Sequence, residues 1–100
     1  MHFSFLCLLA LPLLVSGYKA TFHETRNFGG FRLIIDTPGC KNIQVDLFRP
    51  SSVNTHGTCI RVYKKFFCKG DYATIKPGTC GHSFLGDVGF NRQVHSVGPC

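Results

Sequence analysis

FHETRNFGGFRLIIDTPGC (Phe22 to Cys40) and VYKKFFCKGDYATIKPGTC (Val62 to Cys80) are one segment written twice, at a constant offset of 40. In that alignment His23 faces Tyr63, Phe28 faces Cys68, Gly30 faces Gly70 and Cys40 faces Cys80. Further on the offset becomes 44, so that Ser52-Val53 matches Ser96-Val97. Self-similarity at a fixed period marks a duplicated structural unit. Each copy reads as strand, hairpin, strand, turn, strand. Phe31, Leu33 and Ile35 alternate with Arg32, Ile34 and Asp36, and Ile60 to Tyr63 and Tyr72 to Ile75 are short β-branched or aromatic runs. Gly29-Gly30, Pro38-Gly39, Pro77-Gly78 and the Gly-rich Gly81 to Gly89 punctuate them as turns. No window after residue 17 sustains an apolar period of about 3.6, so helix is expected to be minor. Two copies of a four-stranded unit predict an all-β sandwich of two four-stranded sheets.

Ahead of the repeat, an unbroken apolar run from Phe3 to Val15 leads to Ser16 and Gly17, the layout of a secretory signal peptide. The run is shorter than the roughly 20 residues a membrane-spanning helix needs. Residues 1–17 are therefore read as a signal peptide and 18–100 as one mature domain built from two motifs, about 20–57 and 58–100. A domain of this size is marginal without cross-links. Cys7 leaves with the leader, and Cys40, Cys59, Cys68, Cys80 and Cys100 remain. With no Cys-x-x-Cys or paired-His spacing, they read as disulfide partners in an oxidising compartment. Their number is odd, so two bridges leave a spare thiol able to join two chains, and each choice of spare leaves three pairings. The mature segment keeps the whole net charge of +6. That favours acidic partners: an anionic cell surface, an acidic polysaccharide or an acidic protein. No nucleic-acid motif is present.

These residues resemble the βγ-crystallin Greek-key domain. The family motif has an aromatic, four residues, a second aromatic, one residue and a Gly, with a Ser some twenty-odd positions later. The first copy matches at His23, Phe28, Gly30 and Ser52, and the second at Tyr63, Cys68, Gly70 and Ser96. CKNIQVDLFRPSSV (Cys40 to Val53) is similar to the second half of a crystallin motif. The physical logic fits: a hairpin folded back over its sheet needs a Gly at φ > 0, an aromatic body beneath it and a hydroxyl for backbone groups that no ladder reaches. His23 and Cys68 depart from the motif's aromatic positions. A disulfide from Cys68 would take over the missing ring's role, with Cys59 the plausible partner by position and Cys100 the alternative.

Calcium is the ligand the resemblance implies, held through an Asn/Asp pair, two residues, then Ser/Thr and Ser. The first copy presents Leu47, Phe48, Arg49, Pro50, Ser51 and Ser52, and the second Asn91, Arg92, Gln93, Val94, His95 and Ser96. Calcium takes six to eight oxygens. These sets lack carboxylates and place an arginine at the site, so no metal site is expected beyond a residual weak calcium affinity. A basic cluster, Arg61, Lys64, Lys65 and Lys69, interleaves with Tyr63, Phe66 and Phe67 at the second hairpin, a cationic rim with exposed aromatics suited to anionic surfaces. His23, His56, His82 and His95 form no catalytic motif with the scattered acids, so no enzyme is expected. Lys69-Gly70-Asp71 resembles an integrin-type tripeptide, but the fold already accounts for its Gly. No N-glycosylation sequon occurs.

The expected function is that of a small secreted binding protein, toxin- or effector-like, acting on a cell surface or an extracellular protein. Two other readings stay open. One is a proteinase inhibitor using the loop from Cys80 to Asn91, and the other is a structural or stress-protective protein, since fold does not fix function.

Overall fold

The computed structural model describes residues 18–100; the expected leader, 1–17 with Cys7, lies outside the described residues. Among these described residues seven strands follow one another: β1 (Tyr18–Thr25), β2 (Gly29–Thr37), β3 (Lys41–Asn42), β4 (Ser52–Asn54), β5 (Ile60–Lys65), β6 (Lys69–Ile75) and β7 (Ser96–Pro99). Helix among the described residues is confined to two 3₁₀ turns, Arg26–Phe28 and Leu85–Val88.

The strands form two antiparallel sheets, ordered β2-β1-β4 and β3-β7-β5-β6. Period-two alternation directs the core. Tyr18, Ala20 and Phe22 of β1 and Ile60 and Val62 of β5 are buried, and between the sheets they meet Ile35, Ile43, Val53, Ile75, Leu85, Phe90, Val94 and Val97. Fully burying a side chain such as Phe22 contributes about 1.5–3 kcal/mol. The Tyr18 hydroxyl, 2.9 Å from the Gly39 carbonyl and 3.1 Å from that of Val97, links β1 to the opposite sheet. Burial pushes its pKa up to about 12.

The two copies exchange material. β3, from the first copy, pairs with β7, from the second, with Lys41 opposite Val97. In return the segment after Cys80 runs alongside β4: the Val53 amide donates to His82 C=O (2.9 Å) and the Leu85 amide to Ser51 C=O (2.7 Å). That segment occupies the fourth place of its sheet without forming a ladder. The sheets therefore count three and four strands where the sequence predicts four and four. The physical reason is local, because the chain turns into the 3₁₀ turn at Leu85 before a second residue pair can form.

The disulfides join Cys40 to Cys68 and Cys59 to Cys100, and Cys80 is free and exposed. This corrects the expected partner of Cys68, which is neither Cys59 nor Cys100. Cys59 lies just before β5 and Cys68 beyond its far end, about 20 Å of extended chain apart. β7 runs antiparallel to β5 with Pro99 opposite Ile60, so Cys100 sits at the Cys59 end. Only Cys40, delivered next to β7 by the crossing of β3, reaches the second hairpin.

Candidate functional site

The two folded hairpins are superimposable in their bonding. In the first, the Ser52 hydroxyl accepts from the Phe28 amide (3.0 Å) and donates to Thr25 C=O (2.6 Å). In the second, the Ser96 hydroxyl accepts from the Cys68 amide (2.8 Å) and donates to Lys65 C=O (2.5 Å). The register of each parent strand slips at the same place, between His23 and Thr25 and between Tyr63 and Lys65. Each hairpin passes three residues through the left-handed region: Asn27, Phe28 and Gly30 (φ 56°, 61° and 73°), then Phe67, Cys68 and Gly70 (φ 64°, 55° and 80°).

Their chemistry differs. Under the first hairpin the His23 ring meets Phe28 edge-on at 5.7 Å. Burial first, and the Arg32 guanidinium second, hold the His23 imidazole below the usual histidine range, and its Nδ1 is buried without a partner. The second hairpin lacks that aromatic pair and has the Cys40–Cys68 bridge in its place, with Asn42 Oδ1 accepting from the Phe67 amide at 2.7 Å. At its base Lys65 stands directly opposite Lys69, whereas the first hairpin has Thr25 opposite Gly29. At its tip Phe66 and Phe67 are exposed, Phe67 by 71%.

These exposed rings border a cleft of about 590 Å³ whose other wall is the 42–47 segment, including Leu47, itself 80% exposed. A second cleft of about 470 Å³, lined by Cys40, Lys41, Asn42, Gln44 and Phe67, continues from it. Phe66, Phe67 and Leu47, with Lys41 and Asp46, thus line two adjoining exposed clefts, and Lys65 and Lys69 stand exposed at the base of the hairpin that carries the two rings. The basic cluster read from the sequence does not gather into a single rim. The Arg61 guanidinium lies 4.6 Å over the Tyr72 ring on the outer side of the sheet. The Lys64 ammonium turns to Gln93 Oε1 (2.9 Å) and the face of the buried Phe90 (4.8 Å). Lys65 and Lys69 remain free in solvent at the hairpin. Leu47 enters the sequence reading only through the calcium alignment, because an apolar residue that alternates with Ile43 and Val45 looks like a core position.

The set of residues aligned with the calcium motif does not fit that ion. Asn91 Oδ1 is buried without a partner, but it is the lone side-chain oxygen at its end of the motif, and His95, in the ligand hydroxyl's place, packs its ring against Phe66 at 5.2 Å. In the first copy the Arg49 side chain donates to Val45 C=O, and Ser51 supplies a hydroxyl without a carboxylate beside it. The four histidines are dispersed: His56 bonds Thr21 and His82 bonds Lys76 C=O, away from His23 and His95. Among the described residues no three His, Cys, Asp or Glu side chains are grouped to hold a metal, and no helix is long and apolar enough to cross a membrane.

As a whole, this arrangement of two sheets is similar to solved structures. A βγ-crystallin from an Archaea superimposes with a TM-score of 0.64 at 19% identity, covering 84% of this chain and 99% of that one. The chain has the βγ-crystallin fold. A βγ-crystallin domain from Clostridium beijerinckii gives a TM-score of 0.61 at 23% identity, over 80% of this chain and 94% of that one. No family model and no curated protein matches the sequence.

Proposed function

We propose that this protein is a secreted, non-enzymatic binding module that docks on anionic, partly apolar surfaces through its second folded hairpin. The observation that carries this reading is an internal one, since the two hairpins share a backbone and so control for each other. Where the first places Asn27, a residue suited to the left-handed region, the second places Phe67, which is not, and leaves it in solvent. Where the first has Thr25 opposite Gly29, the second sets Lys65 against Lys69, and like charges directly opposite are destabilising. Neither residue is the one the backbone at its position favours. Both serve a face that pairs cations with exposed aromatic surface, the combination suited to an acidic membrane or an acidic protein patch outside the cell.

The apolar run read as a leader and the two disulfides, which persist in oxidising compartments, support the secreted part of this reading. The inhibitor reading is less well served. The Cys80 to Asn91 segment is bonded along β4, with Gly81, Leu85 and Phe90 buried, where a protease-binding loop would have to project.

Co-sedimentation with phosphatidylserine-containing vesicles tests the proposal, with pure phosphatidylcholine as control. Binding to the acidic vesicles should fall at least about tenfold in Phe67→Asn and in Lys65→Glu with Lys69→Glu, each variant folded by circular dichroism. Phe67→Asn should also be more stable than the parent. Equal binding of parent and variants, or no binding by any of them, overturns the assignment of this face to acidic lipid.

A further inference from the structure

β2 forms one side of its sheet, nine residues long, with β1 as its partner. An edge of that length leaves a row of backbone donors and acceptors open. The open groups can be identified. On β1 the His23 carbonyl accepts from the Ser51 amide on the β4 side (2.8 Å), so alternation turns Phe22, Ala20 and Tyr18 toward β2, opposite Leu33, Ile35 and Thr37. The N–H and C=O groups of Arg32, Ile34 and Asp36 therefore face away from β1. Their side chains are exposed as well, Ile34 by 52%.

About Ile34 this edge is self-complementary. A second copy laid antiparallel with Ile34 opposite Ile34 sets Arg32 of each chain against Asp36 of the other. The three outward-facing residues then become the hydrogen-bonded pairs of a new ladder. The same register brings Phe31, 79% exposed, opposite the second copy's Thr37. Thr37 lines a cleft of about 550 Å³ together with Leu33, Ile35, Leu47 and Phe48. Each protomer would thus present a ring at the cleft of the other.

We propose that β2 is a dimerisation edge: two copies of this chain join β2 to β2 about a twofold axis through Ile34, forming one continuous sheet across both protomers. The partner is a second copy because the charge pattern is complementary to its own reverse. This assignment does not rest on the vesicle-binding reading, although Leu47 and Lys41 border both surfaces, and it does not use the thiol of Cys80.

Sedimentation equilibrium of the purified chain carrying Cys80→Ser tests it. A reversible monomer–dimer equilibrium is expected. Arg32→Asp or Asp36→Arg alone turns both symmetry-related pairs from attractive to repulsive and should weaken association about tenfold or more. The double swap, Arg32→Asp with Asp36→Arg, should restore it to within about twofold. Ile34→Cys in the same background should form a dimer on mild oxidation, since a hydrogen-bonded antiparallel pair spans about 5.5 Å between Cα atoms, within disulfide reach. A parent that stays monomeric up to its solubility limit overturns the proposal. So do single-charge variants that associate like the parent, or a double swap that fails to recover.

Discussion

Replacing Ser52 by Ala measures what one hydroxyl contributes to a folded hairpin. Ser52 has no solvent-accessible surface, and its Oγ both accepts from Phe28 N–H and donates to Thr25 C=O. Deleting it removes two hydrogen bonds and strands two backbone groups. Each stranded group costs about 1–3 kcal/mol when buried. Thr25 and Phe28 are themselves exposed, so water recovers part of the loss, and the expected destabilisation is about 2–3 kcal/mol. Urea unfolding followed by circular dichroism gives that number, and amide exchange by NMR locates it. Phe28 N–H should lose most of its protection before the rest of the sheet does. Ser96→Ala removes the equivalent pair of bonds, yet the second hairpin is still tied by Cys40–Cys68 and by Asn42. The Cys68 amide in that variant should therefore keep more protection than the Phe28 amide in Ser52→Ala. A change below about 0.5 kcal/mol for Ser52→Ala, with Phe28 exchange unaltered, would refute the role given to the hydroxyl. Equal loss of protection in both hairpins would refute the role given to the tether.

Two further outcomes are expected. His23 is held below the usual histidine range, so the unfolded chain takes up a proton at higher pH than the folded one; stability is full above about pH 6.5 and falls as pH drops through the lower folded value. Thermal melts across that window should show the fall in the parent and a shallower one in His23→Phe. Cys40→Ser with Cys68→Ser opens a loop of sequence separation 28 and should cost about 3–4 kcal/mol in urea unfolding, while peptide mapping of the parent that found Cys59 joined to Cys68 would contradict the pairing described here.

The duplication at offset 40 was legible because both copies obey the same steric rules. A Gly at φ > 0 and a serine at the return strand are local demands, and local demands leave residues in fixed places. The alternation in β1 and β5 was readable for the same reason, since one face of each strand is buried. The disulfide pairing was not readable, because it depends on where β3 lands after it crosses to the other sheet. The basic cluster was misread as one rim because adjacency along a strand says nothing about what waits beside it: Phe90 and Gln93 draw Lys64 to one side and Tyr72 holds Arg61 on the other.

By itself the sequence determined an all-β duplicated domain, its two hairpins, its basic surface and its surplus cysteine, all properties set by residue type and short-range spacing. Tertiary structure alone decided which cysteines meet, that Leu47 and Phe67 line one exposed cleft, and that Arg32 and Asp36 flank an open strand edge. Those facts arise from contacts between segments far apart in the chain, where distance in space is fixed by the packing of two sheets and not by position along the backbone.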